Sequence, residues 1–331
     1  MAAFDDLMTL DAHNDSIILR DVRGDVMDFA DVDPAYHVDL PRMRQGGMGS
    51  LFVMVGDSDL NQSVRLIDAV HRMTQSHPQD FALCRTRSEV RKANQNGQIG
   101  LVMSIEGQVM FAENLAGLRL WHELGVRVAS LTHGEGNRGR VRSAALQVDR
   151  SHFGYLTPQE RATLRRQTRG LTAFARESLV EMARLGIACD LAHANERTFW
   201  ETLEYTDGPV CYTHGNCYSL CPHTRNCTDE MLKALADKDG VIGICFYGAF
   251  VSDSDPNLDR LVEHYLHALE IMGEDHVGVG TDFDGIGEHQ TPVIPDPAAL
   301  PELWRALDAR GVSAEVMQKI SRDNFLRMIP E

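Results

Sequence analysis

Six apolar runs in this 331-residue sequence each end in a side chain that can bind a metal ion: Thr9–Asp15, Leu101–Glu106, Val128–His133, Ile187–His193, Val210–His214 and Val277–Asp282. In the first, Thr-Leu-Asp-Ala-His-Asn-Asp, His13 and Asp15 are two residues apart. Residues i and i+2 of an extended strand point to the same side, so one imidazole and one carboxylate converge. A pair of divalent ions ~3.5–4 Å apart needs a carboxylate bridge plus imidazole or carboxylate donors on each ion. The run ends supply that inventory. His13 and Asp15 are assigned to one metal, His193 and His214 to the other, and Glu106 to both. Any one of these histidines alone would read as an ordinary hydrogen-bonded structural residue.

Polar ligands at the C-terminal ends of buried strands are what a barrel enzyme requires at its top face. Eight runs read as strands: 9–15, 46–56, 99–107, 126–132, 187–193, 210–214, 241–247 and 276–282. Periodic segments at 61–75, 88–94, 115–124, 171–185, 196–205, 229–239 and 258–272 read as helices, and the chain from Ala298 is helical. Ser88 is taken as the cap of the second helix, and Gly186 closes the helix 171–185. This alternation predicts an α/β fold, a single (β/α)8 TIM-type barrel over residues 1–331. Residues 21–36 read as a first loop over the active face. The Arg- and Gly-rich stretch 134–169 reads as a long active-site loop with some helix.

Composition narrows the function. Hydrophobic residues make up 43% and charged residues 24%, as in ordinary globular proteins. The net charge of −16 argues against nucleic acid or an anionic membrane as a partner, because phosphate recognition needs a basic surface. No apolar run approaches the roughly 20 residues needed to span a bilayer, and the start Met-Ala-Ala-Phe-Asp-Asp-Leu lacks the features of a secretory signal. The expectation is a cytoplasmic protein. The seven cysteines, four of them between 211 and 227, have no Cys-x-x-Cys spacing and read as reduced, partly buried thiols.

The motifs together resemble the renal-type (membrane) dipeptidase family, binuclear zinc peptidases of the amidohydrolase superfamily. The stretches that carry the resemblance are Asp11-Ala-His-Asn-Asp15, Ser104-Ile-Glu-Gly107, Leu131-Thr-His133, Asp190-Leu-Ala-His193, His214 followed by Arg225-Asn226, Gly280-Thr-Asp-Phe-Asp-Gly285 and Asp323-Asn-Phe-Leu-Arg327. The resemblance implies two zinc ions, with His13 and Asp15 on one, His193 and His214 on the other, and Glu106 as the bridge. It also implies that His133 binds substrate and polarises the scissile carbonyl, that Arg225 holds the substrate carboxylate, and that Asp282 is the catalytic acid/base, with Asp284 as second choice. The implied substrate is a dipeptide with a free C-terminal carboxylate, L-Xaa-D-Xaa among the candidates, and the implied assembly is a homodimer.

Several features depart from that pattern or stand outside it. The loop after His133 carries Arg138, Arg140 and Arg142, which read either as a solvated basic loop or as substrate contacts. Asp190 either orients a ligand or packs at its strand end. His264 and His267, three apart, read as belonging to a partly exposed helix face rather than to a second metal site. Gly278-Val-Gly280 lacks the spacing of a dinucleotide loop. Two rival functions stand beside the dipeptidase: another amidohydrolase activity on a cyclic amide, lactone or phosphoester, and a barrel that only binds. Against the first stands the absence of a lysine at any strand end, where many such enzymes bridge their metals with a carboxylated lysine. Against the second, every matched position is filled.

Overall fold

The computed structural model describes residues 7–56, 60–107, 114–133, 159–160, 163, 170–286 and 292–331. Among the described residues nine parallel strands run β1 (Thr9–Asn14), β2 (Met48–Met54), β3 (Phe81–Leu83), β4 (Ile99–Ile105), β5 (Val126–Ser130), β6 (Ala188–Asp190), β7 (Val210–Gly215), β8 (Val241–Ile244) and β9 (Val277–Val279). β1 pairs with both β2 and β9, and β2 pairs directly with β4, so eight strands close into a ring. These are the eight strands expected from the sequence. β3 is an addition, pairing only with the first residues of β4. Its three residues are too few to show a period of two, so the sequence carries no signal for it.

Continuous apolar runs suit strands covered on both faces. Leu10, Phe52, Val102, Val128, Ala188, Cys211 and Val241, from seven of the eight ring strands, join one buried cluster with Phe325 from the C-terminal end. Strands on opposite sides of a ring meet only through its middle, so this cluster fills the barrel. A larger cluster joins the strands to the covering helices, among them Leu60–Ser76, Ala173–Leu185 and Leu258–Met272.

Local chemistry sets the helix starts. Thr86, not Ser88, caps the helix Arg87–Gln95 through a reciprocal box with Glu89, and Thr172 caps Ala173–Leu185, which Gly186 ends in the left-handed conformation. Of the loop expected over residues 21–36, residues 24–36 carry neither helix nor strand, while helices flank it on both sides. A helix covers Ser16–Arg23 and another Leu40–Gln45. The first is entered from Asp15, whose side chain makes no capping hydrogen bond, and its eight residues give a periodicity too short to read. The segment 134–158 and most of 159–169, including Arg138, Arg140 and Arg142, lie outside the described residues. Among the described residues no helix is long and apolar enough to cross a membrane.

Candidate active site

Because all ring strands are parallel, residues at their C-terminal ends meet at one end of the barrel. His13 lies in β1 and Asp15 just after it, Glu106 follows β4, and His214 lies in β7. His133, His193 and Asp282 each come three residues after a strand, so β5, β6 and β9 are shorter than their apolar runs. The extra residues form turns that bring His133 and His193 to Glu106 and Asp282 to His13. His193, Asp282 and Asp284 have φ of 63°, 61° and 67°, left-handed values uncommon outside glycine.

The geometry centres on Glu106, which is buried. Its Oε1 lies 3.0 Å from His193 Nε2 and 3.6 Å from His214 Nε2; its Oε2 lies 3.3 Å from His133 Nε2 and 3.8 Å from His13 Nε2. His13 Nε2 is also 3.4 Å from Asp15 Oδ2 and 3.8 Å from Asp282 Oδ1. The His193 and His214 Nε2 atoms approach to 3.1 Å, and the His13 and His214 rings stack at 3.7 Å. Among the described residues, two groups that could hold a metal ion share Glu106: His13 with Asp15, and His193 with His214.

Electrostatics fit a cation at this point. Burial works against charge on His13, yet the carboxylates of Asp15, Glu106 and Asp282 together push its pKa up to about 10. Three carboxylates converging on one buried nitrogen make a field that a divalent ion would satisfy. Burial, Arg225 and His133 push His193 down to about 3, and burial holds His214 well below its usual range. Both imidazoles are therefore neutral, the form that binds metals. Burial, reinforced by Asp15 and Glu106, pushes Asp282 up to about 7.

Arg225 is reached from the loop after β7. Its Nη1 donates to the Tyr212 hydroxyl at 2.9 Å and its Nη2 to the His214 carbonyl at 3.4 Å, while the Tyr212 hydroxyl donates to the Arg225 carbonyl. Among the described residues no carboxylate forms a salt bridge with it. Asn216 and Asn226 hold the loop base: the Asn216 side chain bonds the backbone of Cys245, and that of Asn226 the carbonyls of Cys221 and Phe250.

The structure separates Asp282 from Asp284. Asp284 accepts from the Ser16 hydroxyl and from the His37 backbone N–H, and its own N–H donates to His37 Nδ1, so its carboxylate anchors the loop. Asp282 faces His13, and its other oxygen is 3.9 Å from the Cys245 thiol. Gly285 fits against both Asp15 and Asp282, where a Cβ would come within 2.1 Å and 2.4 Å of their oxygens. Its importance was invisible in the sequence beyond its place in the Thr-Asp-Phe-Asp-Gly stretch.

The remaining candidates resolve plainly. His264 is buried, not partly exposed: Cys217 N donates to its Nδ1, and its Nε2 lies 3.0 Å from the Val251 carbonyl. His267 pairs with Asp229 and Ser219, so the two histidines serve different partners. All seven cysteines are buried and free, as thiols.

The sequence model of the membrane dipeptidase family, Peptidase family M19, matches residues 2–331. The dipeptidase ataJ of Aspergillus terreus is 33% identical over 350 aligned positions, covering 97% of this chain and 84% of that one. The dipeptidase tcpJ of Claviceps purpurea is 29% identical, covering 90% and 70%. Among solved structures, a metallo peptidase from Rhodobacter sphaeroides, liganded with a phosphinate mimic of the dipeptide L-Ala-D-Ala, superposes with a TM-score of 0.83 at 25% identity over 98% of this chain and 99% of that one. The chain belongs to the membrane dipeptidase family, peptidase family M19, and is a metallo-dipeptidase.

Proposed function

We propose that this chain is a binuclear zinc enzyme that hydrolyses dipeptides bearing a free C-terminal carboxylate, L-Xaa-D-Xaa among them. The observation that carries the reading is Glu106, whose two oxygens are divided between separate groups of nitrogen donors. His13 and Asp15 would hold one ion, His193 and His214 the other, and Glu106 both. Zinc bound there supplies Lewis acidity and makes water a usable nucleophile near neutral pH.

The protein's own groups divide the remaining work. Asp282, with its pKa raised toward neutrality, accepts the proton that water loses on attacking the carbonyl carbon. It then delivers that proton to the amine nitrogen as the C–N bond breaks. His133 is the most exposed histidine of the group, which suits a residue meeting the substrate carbonyl oxygen. Arg225 carries a planar fork suited to a carboxylate, and its Tyr212 partner fixes its plane. A carboxylate clamp near the reacting carbonyl leaves room for one residue on the leaving side, which favours dipeptides over longer chains. The Rhodobacter complex with an L-Ala-D-Ala mimic supports the D-residue preference.

The test is turnover of zinc-reconstituted protein on paired L-Xaa-L-Xaa and L-Xaa-D-Xaa dipeptides, with metal-stripped protein alongside. Zinc-dependent cleavage supports the reading, and the faster series sets the stereochemistry. A protein that holds two zinc ions and cleaves neither series would overturn it.

A further inference from the structure

Two buried aspartates stand behind the site, Asp11 two residues before His13 and Asp190 three before His193. Both grip a threonine in the same way, Thr213 within the neighbouring strand β7 and Thr281 two residues past the neighbouring strand β9. Asp11 Oδ1 accepts the backbone N–H of Thr281 at 2.8 Å, and its Oδ2 accepts the Thr281 hydroxyl at 2.8 Å. Asp190 Oδ1 accepts the backbone N–H of Thr213 at 2.9 Å, and its Oδ2 the Thr213 hydroxyl at 2.6 Å. Each carboxylate also holds its own strand, through the His13 N–H at 3.3 Å and the Ala192 N–H at 3.0 Å. In both cases the gripped threonine immediately precedes a site residue, Asp282 after β9 and His214 in β7.

We propose that Asp11–Thr281 and Asp190–Thr213 are paired positioning clamps, the first fixing Asp282 and the second fixing His214. The roles of Asp282 and His214 rest on the function proposed above. Each clamp spans a seam between adjacent strands, β1 with β9 and β6 with β7, and so ties two site residues into one frame.

The consequences differ between the two. In the first, the Thr281 hydroxyl also accepts the Phe283 N–H at 3.1 Å, and the Asp282 N–H donates to the His13 carbonyl at 3.2 Å. The left-handed turn at Asp282 is thereby held from both flanks. In the second, the Thr213 hydroxyl gives its proton to Asp190 and lies 2.8 Å from His214 Nδ1. Its lone pair therefore accepts Nδ1–H, and the His214 Nε2 lone pair is left facing Glu106 and His193. A carboxylate acting through a hydroxyl on a ligand imidazole sets both tautomer and ring orientation. Asp190 lies close enough to His13 and His214 to be counted as a metal donor, but both its oxygens are engaged by Thr213, with Ala192 on the first.

The two clamps predict different losses, which separates them from general packing. Thr281→Val keeps the shape and removes the hydroxyl. Its kcat should fall about 10²-fold, the scale of a 1 Å misplacement, with KM and zinc affinity within about twofold of wild type. Thr213→Val should weaken zinc binding by about 10–100-fold, read by competition with a chelator. Thr281→Ser and Thr213→Ser, which restore the hydroxyl, should recover most of each loss. Unfolding of the metal-free variants checks that they fold; should a valine variant fail to, Asp11→Asn or Asp190→Asn carries the same test. Wild-type kcat in Thr281→Val, or equal effects of both valine variants on kcat and zinc affinity, would overturn the clamps. If wild type binds zinc yet cleaves no dipeptide, the functional reading fails instead, and the Thr213 zinc measurement alone decides this proposal.

Discussion

Gly285 offers the sharpest single-atom perturbation of the site. A methyl group there would lie 2.1 Å from Asp15 Oδ2 and 2.4 Å from Asp282 Oδ1, where ordinary contact begins at 3.4 Å. Each carboxylate must therefore retreat by about 1 Å, a displacement that can cost about 10²-fold in rate when the group is catalytic. Neither has an easy path. Asp15 faces His13 Nε2, and Asp282 is held by its N–H to the His13 carbonyl and flanked by the Cys245 thiol. The glycine itself lies outside the left-handed region, so alanine meets no backbone penalty and the effect belongs to the methyl alone. Gly285→Ala is expected to lower kcat about 10²-fold and to weaken zinc binding through Asp15. Overpacking should cost about 1–3 kcal/mol of stability without unfolding the protein. Initial rates on a cleaved dipeptide, chelator competition and urea unfolding report the three effects. Wild-type kcat together with wild-type zinc affinity would refute the argument that these two carboxylates must stay where they are.

Further perturbations separate the remaining roles. Glu106→Gln replaces an anion with an amide whose NH2 group cannot bridge, so at most weakly bound metal should remain; elemental analysis showing two tightly bound zinc ions would reassign the bridge. Asp282→Asn should retain both metals and lose about 10²–10⁴ in turnover, and unchanged turnover would move the acid/base role elsewhere. Arg225→Lys keeps the charge and loses the fork that reaches Tyr212 and the His214 carbonyl. KM should rise about tenfold or more for a dipeptide, while a C-terminally amidated analogue should distinguish little between the two proteins. His264 gives a pH prediction remote from the proposed metal site. Burial holds its pKa at about 4, below the ordinary 6.5, so the fold requires the neutral ring. Its contribution is intact above pH 6.5 and is lost as the pH falls from there through 4, amounting to roughly 3 kcal/mol in full. Urea unfolding of metal-free protein should show that slope and His264→Gln should flatten it; identical slopes would contradict the assignment.

The parts of this molecule legible in its sequence are those where one residue carries its own signal. His13 and Asp15 declare a strand end by spacing, and the ring strands declare themselves as apolar runs. Pairwise relations were not legible. Thr-Asp-Phe-Asp-Gly puts Asp282 first and Asp284 second only by resemblance, and Ser16 and His37, distant in the chain, are what show that Asp284 is occupied. Asp11 reads as one polar residue in a strand until Thr281 is placed beside it. His264 looked partly exposed because helix periodicity counts positions on one helix and cannot see the loop at Cys217 that closes over it.

In the roles proposed above, His193 and Asp282 sit on left-handed turns that set stability against activity. Each such turn in a non-glycine residue stores on the order of 1 kcal/mol that a glycine would release. A glycine at His193 or Asp282 would relieve its turn but enlarge the freedom of the unfolded chain, so heat resistance alone gives selection little reason to keep either side chain. A stabilised variant of this barrel has to be chosen by turnover as well as by heat.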